Sequence, residues 1–201
     1  MSVKIAKPTD IITRTVRLTG LKDIAFDRYP GDNDTKLEPG QKFYLAPAES
    51  PELPVIGIPT ANIMSFLSAH NTNSAPKRLR DKRKYKDIAN ACLSFVDILE
   101  TFIPFTRNGE PIRFGKFEGD KDPISGAYVR REVARLDKGI PNPKVRPVLP
   151  IPWELVFTLR ILPNKEIKEQ EIMNLFVDGG LAIGLGTFRG MFGKFSVEAW
   201  E

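Results

Sequence analysis

His70 is the only histidine and Cys92 the only cysteine in this 201-residue chain. One cysteine cannot close an internal disulfide, and the two residues together cannot supply the four nitrogen and sulfur ligands of an ordinary zinc site. No metal and no cofactor is therefore expected. His70 could still do chemistry, because it stands at the end of an apolar helical pattern and ahead of a basic run. In that position it could deprotonate a ribose 2′-hydroxyl while Lys77 or Lys84 stabilised the phosphorane. The alternative is an idle imidazole, favoured at a helix C-terminus by the dipole. No carboxylate pair has the spacing of a metal-dependent nuclease, and Asp120 and Asp122 lie where they would shape a turn. Cys92, inside the apolar "DIANACLSFVDIL", reads as a buried structural thiol.

The cationic residues carry a stronger signal. Seven of the ten residues from Lys77 to Lys86 are Lys or Arg, among them Arg78, Arg80, Lys82, Arg83 and Lys84, with Tyr85 between them. Net charge is +5, and the excess is central: residues 1–76 carry eight bases and eight acids, and 107–147 carry ten against six. A localised basic region attracts polyanions. Phosphate contacts from it would give steeply salt-dependent binding with little sequence preference. The competing reading is a solvated basic face.

The second concentration is of glycine. "GGLAIGLGTFRGMFGKFSVEAW", 179–200, holds six of the fifteen glycines. Gly184, Gly186 and Gly190 have the wrong last spacing for a dinucleotide fingerprint, and no Gly-Lys-Ser/Thr follows for a P-loop. Two readings remain. One is a tight helix-to-strand loop; the other is a backbone nest for phosphates, with Arg189 and Lys194 adding charge.

The elements that must position these residues follow from periodicity. "IITRTVRLT" (11–19) and "WELVFTLRIL" alternate as half-buried strands, the latter with Leu155, Phe157 and Leu159 inward, and "KFYLAP" and "KFSVEAW" are shorter strands. "TANIMSFLSAH" is a helix with Thr60 as N-cap, preceded by a proline-rich stretch ending in "VIGIP". "KRLRDKRKYKDIANACLSFVDILETF" reads as one longer helix, basic then apolar, its basic end opposed by the dipole. "KEIKEQEIMNLFVDGG" is an amphipathic helix with Ile167, Ile172, Leu175 and Phe176 inward and Gly179 as C-cap. Residues 107–150, rich in proline and glycine, read as an inserted excursion with its own job, a hairpin or short helix. The order fits one α+β domain with a ferredoxin-like, RRM-like βαββαβ core. With no apolar run long enough to span a bilayer and no signal-peptide pattern, the expected location is cytoplasmic, away from membranes.

The C-terminal stretch resembles the signature of the RAMP superfamily (repeat-associated mysterious proteins) of CRISPR systems. Gly184, Gly186, Arg189-Gly190 and Gly193-Lys194-Phe195 carry the likeness, although Met191 and Phe192 stand where the family usually has one residue. "IPTANIMSFLSA" is similar to the family's helix-opening turn, with Thr60-Ala61-Asn62 in place of its usual Gly-Ser.

The resemblance implies an RNA-binding backbone subunit that polymerises along a guide RNA, with homo-oligomer and CRISPR effector subunits as partners. It implies a thumb within 107–150, where Arg130, Arg131 and Arg135 would face phosphate and Tyr128 would stack on a base. The ligand class is guide-type RNA or another single strand. At this length the chain would be a minimal subunit, or a virus-encoded relative acting on effector assembly as an anti-CRISPR. Two alternatives stand beside it: a CRISPR-RNA-processing endoribonuclease using His70, and a self-assembling virion protein.

Overall fold

The computed structural model describes residues 10–32, 34–47, 52–68, 73–135 and 141–201, the side chains of 134 and 135 excepted. In chain order its strands are β1 (Ile12–Gly20), β2 (Ile24–Ala25), β3 (Tyr44–Ala46), β4 (Val55–Pro59), β5 (Val96–Ile98), β6 (Phe102–Arg107), β7 (Glu110–Pro111), β8 (Tyr128–Arg135), β9 (Pro141–Leu149), β10 (Glu154–Ile161) and β11 (Phe195–Trp200). The helices are α1 (Thr60–Leu67), α2 (Ala75–Leu79), α3 (Tyr85–Phe95) and α4 (Glu169–Ala182). The protein is thus mixed α+β with a mainly antiparallel sheet.

The main sheet runs β11-β1-β10-β6-β4-β3, with β5 also beside β10 and β7 beside β6. Period-two alternation sets its register. Val16 lies opposite Phe157 and Leu18 opposite Leu155, so the buried positions of β1 and β10 fall on one face. The opposite positions, Thr13, Thr15 and Arg17 on β1 and Val156, Thr158 and Arg160 on β10, are exposed or half-buried and include no aromatic.

Helices cover the apolar face. Ile63, Phe66 and Leu67 of α1 and Ile172, Leu175 and Phe176 of α4 are fully buried. Phe66 meets Phe176 at 5.6 Å and Phe195 at 5.8 Å between ring centroids, and Phe176 reaches Phe157 at 6.1 Å. Each such aromatic contributes about 1.5–3 kcal/mol by leaving water. At its start α4 is pinned to the sheet: Arg14 Nε donates to Glu169 Oε1 at 2.5 Å, and Trp200 Nε1 donates to the same oxygen at 2.9 Å.

Several sequence expectations change. The long helix expected over 77–102 is two helices, α2 and α3, and its apolar end includes the strand β5. The chain turns at Asp81, whose backbone carbonyl accepts from Lys84 and Tyr85 N–H at 3.0 Å each. "VIGIP" is a strand, β4, paired on both sides. There a Cβ on Gly57 would meet the Ile103 carbonyl oxygen at 2.5 Å. Gly179 does not end α4, which continues to Ala182 because both glycines face neighbours: a Cβ on Gly180 would meet the Phe195 carbonyl oxygen at 2.5 Å. Thr60 is the first helical residue rather than the cap, and its hydroxyl donates to the Glu100 carbonyl instead.

The 107–150 excursion is only partly an excursion. Ile112, Phe114, Ala127 and Leu149 belong to the main core. Asp122 is buried and ties the local turn, accepting from Gly115, Ile124 and Ser125 N–H at 3.2 Å each. What projects is the hairpin of β8 and β9, which with β2 makes a separate three-stranded sheet.

Candidate nucleic-acid interface

The loop after α4 is built inward before it is built outward. Ile183, Gly184, Leu185, Phe192 and Gly193 are buried, Gly186 to Arg189 are half-buried, and Gly190 and Met191 are exposed. Close backbone approach explains most of its glycines. A Cβ on Gly184 would meet the Gly193 carbonyl oxygen at 2.5 Å, one on Gly186 would meet that of Ala25 at 2.5 Å, and one on Gly193 would overlap that of Leu185. Gly190 differs: its φ is +95° and nothing stands within 4 Å of an added Cβ.

Several of its amides are also spoken for. Leu185 N–H donates to Gly193 at 2.9 Å, Gly193 to Asp23 at 2.8 Å, Thr187 to Ala25 at 2.9 Å and Gly190 to Ile183 at 2.6 Å. An amide satisfied within the fold is not a free phosphate donor. Beside the other amides of the loop, its side chains supply outward charge.

Arg189 is the principal one. Its Nε donates to the Gly186 carbonyl at 3.2 Å and its Nη1 to the Asn73 carbonyl at 3.3 Å. Burial disfavours its charged form and lowers its pKa, and it has no carboxylate partner among the described residues. Because Asn73 leads into α2, this bond sets the glycine-rich loop beside the basic segment. Asn73, Gly186, Thr187, Phe188, Arg189 and Met191 line a cleft of about 450 Å³ between them.

On α2 and the turn after it, Lys77, Arg78, Lys82, Arg83 and Lys84 are exposed and Arg80 is half-buried. None forms an ion pair among the described residues. Lys194, half-buried at the far end of the loop, likewise has no carboxylate partner there. This surface is cationic, and none of these charges is ion-paired among the described residues.

The hairpin turns its charges the other way. Arg130 lies opposite Arg146 across β8 and β9, a like-charge pairing that needs counter-ions. Glu132 takes Arg130, and Asp27 takes Arg146 Nε at 3.1 Å and Lys42 Nζ at 3.3 Å. The same two guanidiniums cover the loop's aromatics: Arg130 is 4.9 Å from the Phe192 ring centroid and Arg146 5.1 Å from that of Phe188. Arg131 pairs with Asp120 and holds that carboxyl below its usual range through a hydrogen bond. Tyr128 donates to Asp23 at 2.8 Å, and burial and that bond push its hydroxyl up to about 12. Arg135 lies in β8 with its side chain outside the description, and His70 lies outside the described residues altogether.

Arg146 and the two phenylalanines escaped the sequence reading. Continuing the β8 alternation across a hairpin would have placed Arg146 opposite Arg130; nothing in the sequence marks Phe188 as its partner. Burial pushes the Cys92 thiol up to about 12, as befits a structural residue. Among the described residues no three of His, Cys, Asp and Glu gather as a metal site. No helix among them is long and apolar enough to cross a membrane.

No family model matches this chain, and no curated protein matches it. A search of solved structures finds a chain of the type III-B Cmr-beta complex bound to cognate target RNA, determined by cryo-electron microscopy. It is 10% identical with a TM-score of 0.48, and the match covers 95% of this chain but 60% of that one. A likeness this slight decides nothing about ligand or assembly.

Proposed function

We propose that this protein binds single-stranded RNA of guide type along a surface formed by the α2–α3 basic segment and the crest of the glycine-rich loop. The observation that carries the reading is the Arg189–Asn73 hydrogen bond, which joins a half-buried cation without a carboxylate partner to the start of a helix bearing exposed lysines and arginines, none ion-paired among the described residues. Lys77, Arg78, Arg80, Lys82, Arg83 and Lys84 supply phosphate contacts, and Arg189 and Lys194 extend them onto the loop. The strand meets this surface rather than the open sheet face, which has no aromatic platform on β1 or β10.

In this reading the core is a ferredoxin-like βαββαβ unit made of β1, α1 to α3, β5, β10, α4 and β11. Its support is the pairing of β10 with both β1 and β5 and of β1 with β11, all antiparallel. The β8–β9 hairpin is the thumb-like element. Other copies of the chain and CRISPR effector subunits are its proposed partners, in the cytoplasm.

The test is fluorescence anisotropy with labelled single-stranded RNA across a salt series. Lys82→Glu, Arg83→Glu and Lys84→Glu together should weaken binding to every sequence alike. They should also flatten the salt dependence by roughly 0.7 in slope for each phosphate no longer neutralised. Unchanged affinity and slope would remove the basic segment from the interface. Cleavage of a hairpin RNA that His70→Ala abolishes would transfer the protein to the endoribonucleases.

A further inference from the structure

We propose that a small cavity adjoining the Arg189 cleft reads one guanine base of the bound strand. About 190 Å³ in volume, it lies between the chain after β2, helix α1 and the glycine-rich loop. Gly186, Thr187 and Arg189 line both spaces, so a strand held at Arg189 passes its mouth. The inference rests on the proposed single-strand binding and adds to it a base preference, which phosphate contacts cannot give.

The cavity has the size and lining of a site for one base. Pockets for whole drug-sized ligands begin at about 300 Å³, so this one suits a smaller planar group. The core residues Phe26 and Ile58 give it an apolar wall. Polar side chains converge on it from four segments: Asp27 after β2, Tyr44 on β3, Asn62 on α1, and Thr187 with Arg189 on the loop.

The fold does not consume these groups. The side chains of Tyr44, Asn62 and Thr187 make no hydrogen bond among the described residues. Arg189 spends Nε and Nη1 on carbonyls and keeps Nη2. Asp27 takes Lys42 on Oδ1 at 3.3 Å and Arg146 on Oδ2 at 3.1 Å, two of the roughly four acceptor positions of a carboxylate. Its side chain is still 23% exposed, so the remaining acceptors can be reached.

This donor and acceptor set selects the base. A carboxylate only accepts and a guanidinium only donates. Guanine alone among the RNA bases has two adjacent donors, N1–H and N2–H, beside an acceptor, O6. Asp27 accepts from the two donors and Arg189 donates to O6, while the Asn62 amide donates to O6 or N7. Uracil flanks its one N–H with two carbonyls, so a carbonyl would face Asp27. Adenine has no carbonyl for Arg189.

The experiment uses the full chain with fluorescein-labelled oligouridine, and with the same strand carrying one central guanosine, adenosine, cytidine or inosine. The guanosine strand should bind about fivefold or more tightly than oligouridine, the low end for one bidentate base contact. Inosine, which lacks only the 2-amino group, should lose much of that gain. Asn62→Ala should shrink the guanosine preference about threefold, as one hydrogen bond requires, and Asp27→Asn should abolish it. A 6-thioguanosine at the same position should photo-crosslink to the peptide containing Asn62 or to the glycine-rich loop. Equal binding of all strands, tighter binding of another base, or a guanosine preference that survives in every folded variant refutes the cavity. The Lys82, Arg83 and Lys84 reversal then still judges the α2–α3 interface by its own loss of salt slope. If the parent protein binds no oligonucleotide, both readings fall.

Discussion

Arg146 lies 5.1 Å from the centroid of the Phe188 ring while its Nε donates to Asp27 at 3.1 Å. One buried guanidinium thus joins the projecting hairpin, the chain after β2 and the glycine-rich loop. Phe188 sits at φ +56°, a conformation that bulky side chains avoid unless their surroundings hold them. Replacing Arg146 by methionine keeps the apolar stem but frees Phe188 and leaves Asp27 with Lys42 alone. Urea unfolding should show a loss of about 1–2 kcal/mol, from the lost charge-assisted hydrogen bond to Asp27 and the lost cover on Phe188. Asp27→Asn in the same background should then cost little more, and an additive double variant would show that the two residues are not coupled.

The glycines of the terminal loop should separate into two classes. At Gly193 φ is +69° and an added Cβ would overlap the Leu185 carbonyl oxygen, so Gly193→Ala must displace backbone. It should cost more than about 3 kcal/mol or prevent folding. Gly190 is equally left-handed but opens onto empty space, so Gly190→Ala should cost only about 1–2 kcal/mol. Thermal unfolding of the two variants decides this. Equal losses would mean that the loop packs differently from what the close approach to Leu185 requires.

That contrast marks what the sequence could reveal. Alternation was enough to place β1 and β10 and to turn Leu155, Phe157 and Leu159 inward, because each of these strands buries one face. The glycine count was legible, but its cause was not. Gly180 is small for Phe195, Gly184 for Gly193 and Gly186 for Ala25, neighbours far apart in the chain or across a turn that periodicity does not encode. The cationic segment was legible as charge, whereas its break at Asp81 was hidden inside a helical pattern. The hairpin's arginines looked outward-facing because Glu132, Asp120 and Asp27, which absorb them, are brought there only by the register of β8 and β9 and by the fold.

Glu169 gives the fold an acid-sensitive clamp. The hydrogen bond from Arg14, followed by that from Trp200, holds its carboxyl below the usual range. A carboxylate with a lowered folded-state pKa stabilises the protein above its unfolded value of about 4.3, and this contribution disappears as pH falls through the folded value. Glu169→Gln should therefore cost about 1 kcal/mol at neutral pH, a modest figure because Arg14 and Glu169 are each about one-third exposed. The gap between variant and parent should close as the pH drops below about 4.3. A gap that persists in acid would show that Glu169 acts through packing rather than charge.

Arg189 should prove necessary as a planar fork and not merely as a charge. Its two donors reach carbonyls on different segments, Gly186 on its own loop and Asn73 ahead of α2. A lysine keeps the cation but cannot hold both acceptors in that plane. If the fork aligns the loop with the basic segment, Arg189→Lys should lose RNA affinity nearly as far as Arg189→Ala, with only the alanine variant losing roughly 0.7 of salt slope. Unfolding experiments should find both variants within about 1 kcal/mol of each other, because each forfeits the same two partly exposed hydrogen bonds. Full affinity in Arg189→Lys would instead reduce the residue to a point charge and leave the loop's alignment to its buried glycines.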